Sequence, residues 1–209
     1  MSSLVDFDFL VIALFRAPLL ELQRAVLRVV QAHYSPGHFE EKEAVLDIRS
    51  VYERSPPPGG AHPRRAVLFE PASAAGTTAM IANLADGWAT MCNVLAGQLP
   101  GMSILVRSAT AQEYPLTDLQ VWDKGESVRY VRAMREEPSW EFFSKGDPME
   151  FENLDHYKRR RIADRLNRDI LVEYLARLGW DLASPTFWQS KLLAFYLLEP
   201  HMKVTEPMA

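Results

Sequence analysis

The stretch Val128-Arg129-Tyr130-Val131-Arg132-Ala133-Met134-Arg135, continued by Glu136-Glu137-Pro138-Ser139 and Trp140-Glu141-Phe142-Phe143, decides how the rest of this chain is read. Its first eight residues alternate: Val128, Tyr130 and Met134 fall on one face, Arg129, Val131, Ala133 and Arg135 on the other. Period two with β-branched and aromatic residues predicts a strand. Pro138 ends it, because proline cannot donate to the ladder. Trp140 to Phe143 then predicts a return strand, stopped by the turn residues Lys145-Gly146-Asp147-Pro148. Beyond an acidic loop, Ile162, Leu166, Ile170, Tyr174 and Leu178 recur every four residues, with Leu171 and Leu175 beside them. That stripe predicts one long helix from Asn153 to Leu178, with Asn153 as N-cap, Asp155 in the first turn and Gly179 at C′.

Working outward from this hairpin, Leu119 to Trp122 reads as the preceding strand, joined by a turn at Asp123-Lys124-Gly125-Glu126. Met102 to Arg107 precedes that. Thr77 to Gln98 predicts a second long helix, its buried face marked by Ile81, Leu84, Trp88, Met91, Leu95 and Leu99, with Gly87 as a weak point. Ala66 to Phe69 and Leu46 to Tyr52 read as strands, separated by the mobile connection Pro56 to Gly60. The segment from Pro18 to about Ala32 is an amphipathic helix, and Val5 to Phe15 is a buried strand. Downstream, Phe187-Trp188 is a short turn and Leu192 to Leu198 a strand, with a helix over 185–199 as the alternative. The order β-α-β-β-α-β-β-β-β-α-(β) predicts an α+β fold: a largely antiparallel sheet, a meander in its second half, covered by two or three long helices. Residues 1–209 form one compact domain on this reading, with 1–63 set apart as a candidate N-terminal layer.

Composition narrows the function classes. With 48% hydrophobic and 24% charged residues, the chain has the makings of a folded core rather than a disordered tail. A net charge of −4 gives no electrostatic case for direct nucleic-acid binding. A single cysteine excludes an intrachain disulfide and fits a reducing compartment. The longest early apolar run, Phe9 to Phe15, is too short to span a bilayer, so a cytoplasmic protein is expected.

Catalytic signatures are sparse. The sequence carries no Gly-x-Ser-x-Gly elbow, phosphate loop, dinucleotide fingerprint or zinc spacing. Asp6 and Asp8 form an Asp-x-Asp, at the amino end of their strand rather than the carboxyl end where ligands bind. His33 and His38 with Glu40 and Glu41 straddle a Pro-Gly turn and match no metal spacing. His62 and His156 have no evident partner. Cys92 lies on an apolar stripe and reads as a structural thiol. Asp86-Gly87-Trp88 is unusual inside a helix: the glycine permits close approach of another backbone, and Trp88 reads as core. No catalytic residue, metal or cofactor is therefore assigned.

The strongest anomaly is charge patterning. Glu136, Glu137, Glu141, Asp147, Glu150, Glu152 and Asp155 face Lys145 alone, and the next turns carry Lys158, Arg159, Arg160, Arg161, Arg165 and Arg168. One reading is an ordinary solvated surface, with Arg160–Asp164, Asp164–Arg168 and Arg165–Asp169 as helical i,i+4 pairs. The other is a partner-binding surface built from those seven acids and Trp140, which steers a basic protein into place.

The residues Val128 to Val131, Trp140 to Glu152, Tyr157, Arg160 to Arg165 and Tyr174 to Gly179, with Thr77 to Trp88 upstream, resemble bacterial immunity proteins of polymorphic-toxin systems. The likeness runs over about residues 65 to 190. It implies a non-catalytic protein that binds and neutralises a cognate toxin in the cytoplasm. An acidic surface fits a basic, nuclease-like toxin, whose cleft is built for phosphate. The alternatives are an enzyme with a dispersed His/carboxylate site, and a small-molecule or peptide sensor with an apolar pocket between helices and sheet. The sequence leaves the oligomeric state open.

Overall fold

The computed structural model describes residues 9–52, 63–84, 86–109 and 114–200. Residues 5–8 of the expected first strand, Asp6 and Asp8, the Pro56 to Gly60 connection and His62 lie outside them. The elements in order are β1 (Phe9–Phe15), α1 (Leu19–His33), β2 (Glu40–Ala44), α2 (Arg49–Tyr52), β3 (Arg65–Phe69), β4 (Thr78–Ala82), α3 (Ala89–Gln98), β5 (Ser103–Ala109), β6 (Leu116–Asp123), β7 (Glu126–Glu136), β8 (Ser139–Lys145), α4 (Leu154–Tyr157), α5 (Arg168–Arg177) and β9 (Ala194–Leu198). Single 3-10 turns lie at Ile162–Asp164 and Pro185–Trp188.

The strands form one nine-stranded sheet in the order β2-β9-β3-β4-β1-β5-β6-β7-β8, antiparallel at every pairing. The α+β class and the meander β5-β6-β7-β8 are as the sequence predicts. Both faces of the sheet are covered. On one, Val11, Ala13 and Phe15 of β1 meet Leu22, Val26 and Val29 of α1 and Met91, Cys92 and Leu95 of α3. On the other, Leu10, Ile12 and Leu14 meet Ile170, Leu171, Tyr174 and Leu175 of α5, together with Trp180, Phe187 and Trp188. A strand buried on both faces reads as a continuous apolar run, which is why β1 shows no alternation.

The helical coverage is slighter than expected. Among the described residues the helices longer than one turn are α1, with 15 residues, and α3 and α5, with 10 each. The expected helix over 77–98 is a strand followed by a helix. All five residues of β4 are buried between β3 and β1, and full burial removes the polar side that separates strand from helix in a pattern. Gly87 and Trp88 then adopt left-handed backbone (φ +67° and +58°) and restart the chain as α3.

The expected helix over 153–178 is also two. Asn153 caps α4 by accepting from the Asp155 amide at 3.1 Å, and Asn167 caps α5 by accepting from the Ile170 amide at 3.1 Å. Between them Arg159 and Arg165 bond backbone carbonyls, of Asp164 (3.0 Å) and Arg159 (2.8 Å), which stabilises the irregular connection. The i,i+4 pairs that a continuous helix would supply are replaced by Arg161–Asp164 at 3.8 Å and these contacts.

The expected strand at Leu46 to Tyr52 is instead a helical turn at Arg49–Tyr52, and the strand lies earlier, at Glu40–Ala44. Asp47 accepts from the Arg49 amide (3.1 Å) and, through its carbonyl, from the Ser50 hydroxyl (2.7 Å). These local bonds favour a turn over a ladder. Downstream, the Phe187-Trp188 turn and the terminal strand are present, and β9 sits between β2 and β3.

Candidate functional site

The sheet ends in the β7–β8 hairpin. Its register runs unbroken from Glu136↔Ser139 at the turn to Tyr130↔Lys145 at the open end, and among the described residues β8 has no strand on its outer side. Glu136, Glu137 and Glu141 are exposed here, and Trp140 is half-buried. On the inner face Phe142 packs on Tyr157 (ring centroids 5.3 Å) under the Arg165 guanidinium (5.6 Å). On the opposite face Phe143, 42% exposed, leans on Tyr130 at 5.6 Å.

The face of β7 that turns inward carries Arg129, Val131 and Ala133. A buried cation is costly unless paired and fully hydrogen-bonded, and Arg129 is both. Its Nε and Nη2 donate to Glu152 Oε1 (2.8 Å) and Oε2 (2.7 Å). Its Nη1 donates to Ser144 Oγ (2.9 Å) and to the carbonyls of Lys145 (3.2 Å) and Gly146 (2.8 Å). The Glu152 carboxylate also accepts from the Met149 amide (2.9 Å) and the Tyr157 hydroxyl (2.6 Å). Both side chains are shut off from solvent, at 1% and 0% exposure. Burial opposes the Arg129 charge, yet the bonds to Glu152 outweigh it and hold the guanidinium pKa above its ordinary value. Burial, followed by the bond to Glu152, raises the Tyr157 hydroxyl. This pair clamps the acidic loop against the sheet.

Gly146 completes the clamp. Its φ of +83° is left-handed, and a Cβ there would overlap the Val128 carbonyl oxygen. The loop therefore follows one path, and between it and the end of α5 it leaves an open groove of about 850 Å³. Met102, Val128, Met149 and Leu178 supply apolar wall; Asp147 and Glu150 supply carboxylates. Arg177 also borders the groove, but its Nη2 is 2.6 Å from Glu173 and its Nη1 bonds the Phe151 carbonyl at 3.1 Å. In the sequence Met102, Val128 and Leu178 read only as strand and helix positions, and none of the apolar groove residues was assigned to a site. Only the Lys-Gly-Asp-Pro turn signalled that something closes there.

The acids expected to form one surface are thus distributed. Glu136, Glu137 and Glu141 lie on the hairpin, and Asp147 and Glu150 on the groove. Asp155 sits on α4, 82% exposed and bonded to Lys158 at 2.8 Å, a contact that lowers its pKa. Glu152 is withdrawn from the surface: its carboxylate is consumed inside by Arg129, Met149 and Tyr157.

Among the described residues histidine meets carboxylate in two places. His156 Nε2 is 3.1 Å from Glu173. His38 Nε2 lies 2.9 Å from Glu199 Oε1 and 2.8 Å from Arg64 Nη2. The Arg64 side chain donates twice to the Glu199 carboxylate and once to the Tyr34 hydroxyl, its backbone amide donates to Glu199 as well, and its guanidinium stacks over Tyr34, Phe39 and Trp88 at 4.9–5.9 Å. In this cluster the polar groups satisfy one another, which is the pattern of a latch between the end of β9 and the α1–β2 loop. Its Glu199 carboxyl is held below the usual range, first by the bonds from Arg64. Among the described residues no group of three or more His, Cys, Asp or Glu is placed to hold a metal ion.

Cys92 is fully buried, and desolvation pushes its thiol up to about 12. In Asp86-Gly87-Trp88, the Asp86 carboxylate accepts from the Trp88 amide (2.9 Å) and Trp88 packs in the core. What approaches Gly87 is a side chain: a Cβ would overlap Val11. Asp118, 1% exposed on β6, is paired with Arg107 and accepts from the Tyr130 hydroxyl at 3.2 Å. No helix among the described residues is long and apolar enough to cross a membrane. Comparison with known protein families, curated proteins and solved structures found no match.

Proposed function

We propose that this chain is a non-catalytic, immunity-type binding protein that neutralises a basic bacterial toxin in the cytoplasm, using the β7–β8 hairpin and the loop that follows it. The observation that carries this reading is an ordered hairpin and loop that bear exposed carboxylates: Glu136, Glu137 and Glu141 near the β7–β8 turn, and Asp147 and Glu150 on the loop clamped by the buried Arg129–Glu152 pair. An inhibitor gains affinity when its contact surface is ordered before the encounter, because less side-chain and loop entropy is lost on binding. Unpaired acids on such a surface raise the association rate of a basic partner and repel an acidic one. Trp140 and Phe143, partly exposed among the acids, are of the residue types that anchor interfaces.

The decisive experiment is affinity capture from the bacterial host with the tagged wild-type protein and with the charge-reversed variant E136K/E137K/E141K. The expected result is a basic protein held by the wild type, lost from the variant, and no longer toxic when co-expressed with the wild-type chain. An acidic partner, or capture unaffected by charge reversal, refutes the electrostatic reading.

A further inference from the structure

We infer that the groove between the acidic loop and the end of α5 is a receptor for a single arginine side chain presented by a protein partner. Three features of the groove point to this occupant. Its wall is apolar and flexible: Met102 and Met149 present thioethers, Val128 and Leu178 methyl groups. Methionine adapts its shape to an inserted chain, and the three-carbon stem of arginine is itself apolar.

Its charge is unbalanced in one direction. Arg177 is already matched by Glu173 at 2.6 Å. Asp147 and Glu150, both exposed, have no ion-pair partner among the described residues. Two acidic residues in the lining of an apolar slot suit a planar guanidinium, which carries five donors and is weakly hydrated, better than a compact ammonium.

The backbone path of its acidic wall is fixed before any ligand arrives, while the methionine side chains remain adaptable. The acidic wall is tied down at both ends: Arg129 Nη1 bonds Ser144, Lys145 and Gly146 where the loop leaves β8, and its Nε and Nη2 bond Glu152 where the loop ends. Gly146 admits no side chain that would fill the space beside Val128. Leu178, on the other wall, is held through its carbonyl by Arg16 (3.5 Å), itself stacked on Trp180 at 5.3 Å. The groove is wide enough, at about 850 Å³, for a side chain together with part of the backbone that carries it.

The inference rests on the proposed function for the nature of the partner, a basic protein, but it is tested without that partner. The chain is labelled with ¹³C at the methionine methyls, and Met102→Leu and Met149→Leu assign the two groove signals. The probe is the peptide acetyl-Gly-Arg-Gly-amide; its control replaces arginine by citrulline, which keeps the shape and removes the charge. The expected result is a saturable shift of the Met102 and Met149 methyls with the arginine peptide, weakened at least about tenfold with citrulline and in the exposed-residue variant D147N/E150Q. Silence of both methyls at about 10 mM arginine peptide, or equal binding of citrulline, overturns the inference. A saturable arginine response with no basic protein captured from the host retains the groove and rejects the toxin reading; the reverse pair of results retains the toxin reading and rejects the groove.

Discussion

Replacing Glu152 by glutamine is expected to be among the most damaging single polar changes in this protein. The substitution is nearly isosteric, so it leaves packing intact and removes only the charge. Arg129 then remains at 1% exposure with its guanidinium uncompensated, a situation that costs about 3–5 kcal/mol. For a chain of this size that corresponds to a fall in Tm of roughly 10 °C. Arg129→Met inverts the fault: it strands a buried carboxylate that keeps only the Met149 amide and the Tyr157 hydroxyl, and a loss of similar size is expected. The double variant Arg129→Met/Glu152→Gln removes both charges, and the glutamine oxygen can still accept from the Met149 amide and the Tyr157 hydroxyl. It frees the Ser144 hydroxyl and the Lys145 and Gly146 carbonyls, but these residues are exposed and water can replace the lost bonds. The double variant is therefore expected to be more stable than either single variant, with a coupling of about 3 kcal/mol in the cycle. Urea unfolding followed by tryptophan fluorescence measures all four corners. Additive single effects, or a cost below about 1 kcal/mol for Glu152→Gln, would refute the argument that this pair is sealed from solvent and clamps the loop.

Gly146→Ala combines a left-handed φ with overlap on the Val128 carbonyl and should lose about 1–3 kcal/mol in the same assay; alanine at exposed Gly97, where an added Cβ meets nothing, is the control. Glu199 has a depressed pKa in the folded state because of Arg64. Its contribution is therefore present above the ordinary glutamate range and is lost as pH falls through the lowered value. The stability gap between wild type and Glu199→Gln should be level from about pH 6 to 8 and close below about pH 4.5; a gap that widens in acid contradicts the Arg64–Glu199 latch. The buried Cys92 thiol, pushed up to about 12, should resist an aromatic disulfide reagent in the native state and react at the rate of global opening; immediate labelling at neutral pH would show that α3 does not seal it.

Several parts of the fold were legible because their signals are local. The β7–β8 hairpin, the Lys124-Gly125 turn with both residues at positive φ, and α1 with its stripe from Leu19 to Val30 all declare themselves within a few residues. The misread parts have a common cause: partners distant in sequence decide them. β2 is Glu-Glu-Lys-Glu-Ala, without any alternation, and it is a strand because β9, some 150 residues later, pairs with it. β4 lost its polar face to burial on both sides. Asn167 was hidden inside a four-residue periodicity that Leu166 and Ile170 continue across the break, although Asn167-Arg168-Asp169 repeats the cap-and-acid arrangement of Asn153-Leu154-Asp155. The alternation in β7 defined two faces but not which one points inward. Arg129 faces the core because Glu152, 23 positions away, neutralises it. The same contact removed Glu152 from the acidic surface. The groove was invisible for the same reason, since Met102, Val128, Met149 and Leu178 come together from separate elements.

The seat of β9 between β2 and β3 has a consequence for any chain made in order from its amino end. Both flanking strands leave the ribosome long before the one that joins them, and among the described residues β2 has no other neighbour in the sheet. Until residues 194–198 arrive, β3 presents a bare backbone margin to whatever extended peptide is nearby. A stop just ahead of Ala194 would thus cost the sheet two strands, β9 and the β2 that it holds, and would convert an interior position into a sticky one.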